Sequence, residues 1–328
     1  MKSFAGTRLI LLQPSLPKHA TATTPPPPPS AQHRLWLIAL ISFFAFASIL
    51  TLLSSSAREF RPTNSLLRAA ASVSPTAIPA PVAALHPNLF DALLHYASQS
   101  AANGRMPEPE LRAIAAVLRR RGPCSLLVFG LGPESLLWRS LNHGGRTVFV
   151  DENQYYIAHY EERHPGLEGY DVAYTTKVSE LGELLSAARK QIGGECRPIQ
   201  NLLFSDCRLG INDLPNHLYD VAWDVILVDG PRGYSPASPG RMSAIFTAGV
   251  LARSGGVGPT DVLVHDYERE VEKVCSAEFL CAENLVGVEG QLAHFVIRGG
   301  GAARKDDFCF NRTATAAAAA AASAAAML

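Results

Sequence analysis

The chain has no surplus of charge of either sign: 29 Lys and Arg stand against 29 Asp and Glu in 328 residues. That balance excludes a histone-like or polybasic nucleic-acid binder acting through bulk charge, so no nucleic-acid partner is expected. Charge is scarce as well as balanced, at 18% of residues, below the rough quarter typical of soluble domains. The six cysteines form no CxxC pair and no Cys/His cluster at zinc spacing, which leaves no basis for a structural metal site. No acid precedes residue 35, although Lys2, Arg8, Lys18 and Arg34 do. No internal repeat is visible. What the chain does have is 48% hydrophobic residues, with 14 Phe and 3 Trp, which excludes a collagen or a wholly disordered chain. Seven consecutive alanines at 316–322 inflate that fraction without adding to a core.

A single long apolar run excludes a multi-span membrane protein. Leu35 to Leu53 is nineteen residues without charge, Gly or Pro. At a rise of ~1.5 Å per residue such a helix spans about 28 Å, close to the hydrocarbon thickness of a bilayer. Trp36 lies at its first end, where an indole favours the interface. The flank before it is basic and acid-free, whereas the flank after it (Arg58, Glu59, Arg61) is mixed. The positive-inside rule then places residues 1–34 in the cytosol and the remainder in a lumen or outside the cell. A cleaved signal peptide fits less well, because the run is longer than the usual signal core and starts late. The resulting organisation is a cytosolic tail at 1–34, a transmembrane anchor at 35–53, a Ser/Ala/Pro-rich stem at 54–85, a globular domain at 86–298 and a low-complexity tail at 299–328. All six cysteines follow the anchor, so disulfides are possible, but their spacing fixes no connectivity. Asn311-Arg312-Thr313 is a glycosylation sequon on the lumenal side of this topology.

Within the globular part, 86–102 and 108–121 read as helices, the second from Leu111, Ile114, Val117 and Leu118 at helical spacing. Short apolar runs then alternate with helical stretches. The predicted strands are 125–129, 147–150, 172–175, 201–204, 224–228, 261–264 and 294–297. The predicted helices between them include 134–141, 154–162, 178–191 and 241–252. Strands apolar on both faces, alternating with helices, predict an α/β, Rossmann-like, mostly parallel sheet covered on both sides.

The candidate site residues fall at predicted strand ends. The first strand runs into Gly130-Leu131-Gly132 and then a helix, a turn that lets a ligand approach backbone and a helix N-terminus. The second strand ends in Asp151-Glu152, where a carboxylate can accept ribose hydroxyls. Position 135 is Ser, so the third glycine of a dinucleotide fingerprint is missing. That counts against NAD and leaves S-adenosylmethionine, which has no pyrophosphate. Asp229 ends the 224–228 strand and His265-Asp266 ends the 261–264 strand, and either Asp229 or His265 could act as a base toward a hydroxyl. Arg232 and Arg241 flank the Asp229 loop, with the fork geometry that pairs with a uronic acid carboxylate. Each position also has a plain structural reading: a glycine turn, a loop-capping Asp, a hydrogen-bonded core His, an Arg paired with an internal acid.

Several long segments carry a family resemblance. LLVFGLGPESLLWRSLNHGGRTVFVDEN, DVILVDGPRGYSPASPGRMSAIFTAGVLAR, VLVHDYEREVEKVCSAEFLC and AHFVI together resemble the plant glucuronoxylan 4-O-methyltransferase-like, or polysaccharide-biosynthesis, domain. DENQYY, TTKVSE, NLLFSDCRLGINDLPNH and DGPRGY resemble its irregular-xylem-fifteen-like branch. The resemblance spans roughly 88–298. It implies a methyltransferase fold and S-adenosylmethionine as donor, with a divalent cation possible. It also implies xylan or glucuronoxylan as the partner polymer, other xylan-synthesis proteins as further partners, and the Golgi membrane as location. Carried onto this chain, it places the donor at Gly130, Gly132 and Asp151 or Glu152, and the transfer site at Asp229, His265 and Asp266. One departure stands at the donor's acid. The methyltransferase branch carries a Glu-Glu-Asp-Pro-like run where this chain has Asp151-Glu152-Asn153-Gln154. A non-catalytic xylan-binding or scaffold role is the alternative that this departure keeps open.

Overall fold

SLLVF and VILV can lie only where both faces are covered, and they form the middle of the sheet. A computed structural model of the chain describes residues 85–99, 105–256, 258–299 and 307–310, together with Leu40, Ser42 and Phe44. The chain divides into two units, Met1–Ala77 and Ile78–Leu328. In the first unit, only those three isolated, helical positions are described. The anchor and stem expected at 35–53 and 54–85 therefore lie almost wholly outside the described residues, as do the sequon and the alanine tail. No helix among the described residues is long and apolar enough to cross a membrane.

The second unit begins with helices α1 (Pro87–Ser98) and α2 (Glu108–Arg121). There follow β1 (Ser125–Phe129), α3 (Ser135–Leu141), β2 (Arg146–Asp151), α4 (Gln154–Arg163), β3 (Glu168–Asp171) and α5 (Leu181–Lys190). The remainder is β4 (Val225–Val228), α6 (Met242–Ser254), β5 (Pro259–Val264), α7 (Glu270–Phe279), β6 (Leu285–Glu289) and β7 (Leu292–Arg298). The strands form one sheet in the order β3-β2-β1-β4-β5-β7-β6. Pairing is parallel from β3 to β5, and β7 runs antiparallel to both of its neighbours.

Period-two alternation sorts the strand side chains into two cores. Leu127, Phe129, Ile226 and Val228 face α5, α6 and α7, whereas Leu126, Val128, Val225 and Leu227 face α1 to α4. The sheet is thus doubly wound, as the sequence predicts. Chain order reverses between β1 and β4, and open α/β sheets bind ligands beyond the carboxyl ends of the strands at such a switch.

Four local readings change. The strand expected at 172–175 lies earlier, at Glu168–Asp171. Val172 still bonds to the Asp151 carbonyl, but Ala173 turns its N–H to the Asp213 carboxylate and leaves the ladder. The strand expected at 201–204 is a single 3₁₀ turn, Leu202–Phe204, begun by the Asn201 side chain accepting from Leu203 N. Leu202 is buried while Phe204 is exposed, a face selection that an apolar triplet does not reveal. Strand β6 carried no signal because it is an exposed edge. Finally, residues 307–310 belong to the folded domain rather than to the low-complexity tail. Phe308 packs on Phe246 and Phe279, and Cys309 is bonded to Cys281. Cys196 and Cys207 form a second disulfide, while Cys124 and Cys275 are free and buried. Cys275 lies inside helix α7 and Cys281 just beyond its end, where it pairs with Cys309 instead.

Candidate functional site

The ends of β1 and β4 meet backbone to backbone. Gly130 has φ +107°, and a Cβ there would lie 2.9 Å from the Asp229 carbonyl carbon. Reciprocally, a Cβ on Gly230 would lie 2.7 Å from Gly130 Cα. Only glycine fits either position. Gly132 is different: a Cβ there would meet nothing nearer than Glu134 Oε2 at 3.9 Å, so this glycine leaves room. Its N–H is taken by Ser135 Oγ at 2.9 Å, and α3 has only seven residues. The turn therefore offers open space beside its backbone more than a helix N-terminus.

The two acids after β2 have separate tasks. Asp151 Oδ2 accepts from Leu131 N and Oδ1 from Asn153 N, each at 2.9 Å, so this carboxylate braces the glycine turn and its own loop. Glu152 carries the available oxygen: Oε1 accepts from Arg232 Nε at 3.1 Å, and Oε2 is buried with no hydrogen-bond partner. Burial, reinforced by Asp151, pushes its carboxyl above the usual range despite Arg232. Such an orphaned oxygen suits a pair of ligand hydroxyls.

Across the cavity lies a charged network. Arg241, just before α6, is buried and donates from Nη1 to the His265 carbonyl and from Nη2 to the Asp229 carbonyl at 3.1 Å. Nη2 also lies 2.8 Å from Asp266 Oδ2 and 3.4 Å from Asp229 Oδ1. Its donors are directed at the chain's own strand ends, so Arg241 braces the site from beneath. His265 places Nδ1 2.8 Å from Asp229 Oδ1 and Nε2 3.0 Å from Glu110 Oε2. Burial pushes the ring's proton affinity down, but the hydrogen bond and charge of Asp229, with Asp266, outweigh it and raise its pKa above 6.5.

One cavity of about 400 Å³ gathers these strand ends. Gly130, Gly132, Asp151 and Glu152 line one side, and Asp229, Arg232, Arg241 and Asp266 the other. His265 lies behind Asp229 and is not part of the lining. Sequence reasoning missed Tyr234 and Arg269 at the cavity wall, and Glu110 and Glu272 behind it. Tyr156 also lines the cavity; its position on a helix reads as packing, and its ring does contact Tyr160 edge-on. Tyr234, 72% exposed in a Gly/Pro loop, is the member with a readable signal. Glu110 reads as an ordinary acid in a helix's first turn. Among the described residues, the grouping at metal-ligand spacing is Cys281, Glu283 and Cys309, whose two sulfurs are joined in the disulfide. The cavity's carboxylates form no such group, and the divalent cation that the resemblance allows gains no support.

Comparison with known proteins completes the picture. Residues 109–295 match the family model described as IRX15/IRX15L/GXM. The chain is 52% identical to Protein IRREGULAR XYLEM 15 of Arabidopsis thaliana over 311 residues, covering 90% of this chain and 93% of that protein. It is 44% identical to Glucuronoxylan 4-O-methyltransferase 3 of the same plant, covering 68% and 73%. Among solved structures, a methyltransferase-like protein from Silicibacter pomeroyi is similar at 17% identity and a TM-score of 0.32, covering 57% of this chain and 86% of that one. At that score the likeness carries no weight. The matched region includes every residue of the cavity, and on these matches the chain belongs to the IRX15/IRX15L/GXM family.

Proposed function

We propose that the domain is an S-adenosylmethionine-dependent O-methyltransferase acting on a glycan hydroxyl in xylan formation, with the 4-hydroxyl of xylan's glucuronic acid side groups as the leading acceptor. One observation carries this reading: the open Gly132 turn, the orphaned Glu152 oxygen and Asp229 line a single cavity at the switch between β1 and β4. The 44% identity to a glucuronoxylan 4-O-methyltransferase supports the reaction class and the polymer.

When bound, S-adenosylmethionine supplies an electrophilic methyl group. Glu152 would accept from the donor's ribose hydroxyls, and Gly132 would give the donor room against backbone. Asp229 takes the proton that the acceptor hydroxyl releases. Arg232 and Arg269, both at the wall and more than a third exposed, read an acceptor carboxylate, and Tyr234 offers a ring face for a sugar. Arg241 keeps the ends of β4 and β5 in register, so that position and orientation provide most of the rate.

A Golgi-lumenal location, with the chain anchored once near its N-terminus, is part of the proposal. The acid-free basic segment before Leu35 supports it, as do two disulfides in a domain that would otherwise meet reducing cytosol. The test is methyl transfer by the purified full chain from labelled donor to unmethylated glucuronoxylan. Labelled 4-O-methylglucuronic acid is the expected product, reduced about 100-fold or more in Asp229→Asn. A folded wild-type chain that yields none removes this acceptor.

One feature favours a second reading, a non-catalytic partner of the xylan-synthesis machinery. Asp151 is closed onto backbone and Glu152 is bonded to Arg232, so protein already occupies part of the donor's acid. Restoration of normal xylan by a folded Gly132/Asp229 double variant supports that reading, and failure to restore it counts against it.

A further inference from the structure

Helix α2 contributes a group to the site from outside the strand ends. Glu110 lies in its first turn, two per cent exposed. Its Oε1 accepts from Gln291 N at 2.8 Å, in the turn between β6 and β7. The approach is so close that a Cβ on Gly290 would lie 2.5 Å from that oxygen. The second oxygen, Oε2, is buried without a hydrogen-bond partner and stands 3.0 Å from His265 Nε2. A buried carboxylate oxygen with no donor is costly, and a positive charge beside it is what makes it tolerable. Anchoring the β6–β7 turn uses only Oε1 and leaves the placement of Oε2 unexplained.

We propose that Glu110 is a positioning residue: its carboxylate keeps the His265 ring protonated and aimed at Asp229. The ring then sits as an imidazolium between two carboxylates, with Nδ1–H donated to Asp229 Oδ1 and Nε2–H facing Glu110 Oε2. That arrangement fixes the orientation of Asp229 toward the cavity it lines. His265 is thereby the support and Asp229 the proton acceptor, which decides between the two bases that the sequence leaves open.

The other charged groups around the ring are few. Asp266, after β5, lies 3.8 Å from Nδ1 and shares the sign of Asp229. Arg241, before α6, opposes protonation, but its charge is met by Asp229, Asp266 and, at 4.0 Å, Glu272 of α7. Arg269 is paired to Asp266 at 2.8 Å. The assignment of Asp229 as acceptor rests on the methyl-transfer reading, whereas the protonation of His265 does not.

The experiment therefore reads the ring and not turnover. Imidazole-nitrogen NMR of the full chain in detergent, with the signal assigned by its loss in His265→Asn, follows the ring against pH. Glu110→Gln keeps the acceptor for Gln291 N and removes the charge. The expected result is a loss of about tenfold in proton affinity, one pH unit in the midpoint. A midpoint shifted by less than a few tenths of a unit overturns the proposal. Should Glu110→Gln not fold, Glu110→Asp, whose shorter side chain draws the charge back from Nε2, is titrated in its place. A midpoint lowered by at least a few tenths of a unit there supports Glu110, and an unchanged one overturns it. Donor calorimetry on the same samples keeps the questions apart: a wild type that binds no S-adenosylmethionine fails the methyl-transfer reading while the titration result stands.

Discussion

Strand β5 has a buried carboxylate network at each end, and the two are built differently. At its start, Asp261 is one per cent exposed and fully partnered. Its Oδ1 accepts from Arg120 at 2.9 Å and lies 2.7 Å from His294 Nε2, and its Oδ2 accepts from Arg121 at 2.6 Å. Burial alone would raise its pKa, but His294 and Arg121 win and hold it below the usual carboxylate range. At the strand's other end, His265 and Asp266 join Asp229, Arg241, Glu110 and Glu272. There Glu110 Oε2, Arg241 Nε and Glu272 Oε1 remain buried without hydrogen-bond partners. One end is closed and ties α2 to β5 and β7. The other is under-satisfied and borders the cavity beyond the carboxyl ends of β1 and β4. Unpaired buried polar atoms concentrated at one end mark where stability has been given up for chemistry.

The sharpest way to break the contrast is to remove one hub from each end. Arg241→Met leaves Asp229, Asp266 and Glu272 facing one another and is expected to cost about 3–5 kcal/mol in urea unfolding. Donor binding should fall with it, because the ends of β4 and β5 separate. Asp261→Asn is expected to cost about 2–4 kcal/mol, since partly exposed arginines are screened, and to leave donor binding intact. Equal loss of donor binding in both chains would mean that the two ends are one cooperative unit. Within the cavity, Gly130→Ala forces a side chain into a left-handed backbone against the Asp229 carbonyl and should cost about 2 kcal/mol. Gly132→Leu has no such collision and should change stability by less than about 0.5 kcal/mol.

Much of this contrast was hidden in the sequence, for identifiable reasons. Strands β1 and β4 were legible because SLLVF and VILV are apolar on both faces, and the glycine turn and terminal acids follow them directly. Asp151 and Glu152 were legible as a pair but not in their division of labour, because that depends on which carboxylate meets the Leu131 N–H. Arg241 reads as an arginine beside a binding loop, yet its donors turn inward, a matter of side-chain direction that spacing does not encode. Glu110 lies 119 residues before Asp229 in the chain. Its role exists only because α2 packs beside the end of β5, so no local pattern could reveal it. Asp261 was legible as a strand residue and invisible as a hub for the same reason.

The smallest effects sharpen the comparison by their sign. Asp261 has a depressed folded-state pKa, so its contribution is present above the ordinary value of 3.8 and is lost as pH falls through the lower folded value. The cost of Asp261→Asn should therefore shrink on acidification below about pH 4. His265 has a raised folded-state pKa, so its contribution is full below 6.5 and is lost as pH rises through the folded value. The cost of His265→Asn should shrink on the alkaline side. Urea midpoints measured across pH check both, and matching slopes would erase the distinction between the ends.

Calorimetric titration of the folded full chain with S-adenosylmethionine, beside Gly132→Leu, addresses the cavity itself. The wild type should bind with a dissociation constant of about 1–100 μM, within the range usual for enzyme substrates, and Gly132→Leu should weaken it at least tenfold. A folded wild type that gives no heat at about 1 mM donor would contradict the assignment of this cavity to a nucleoside donor.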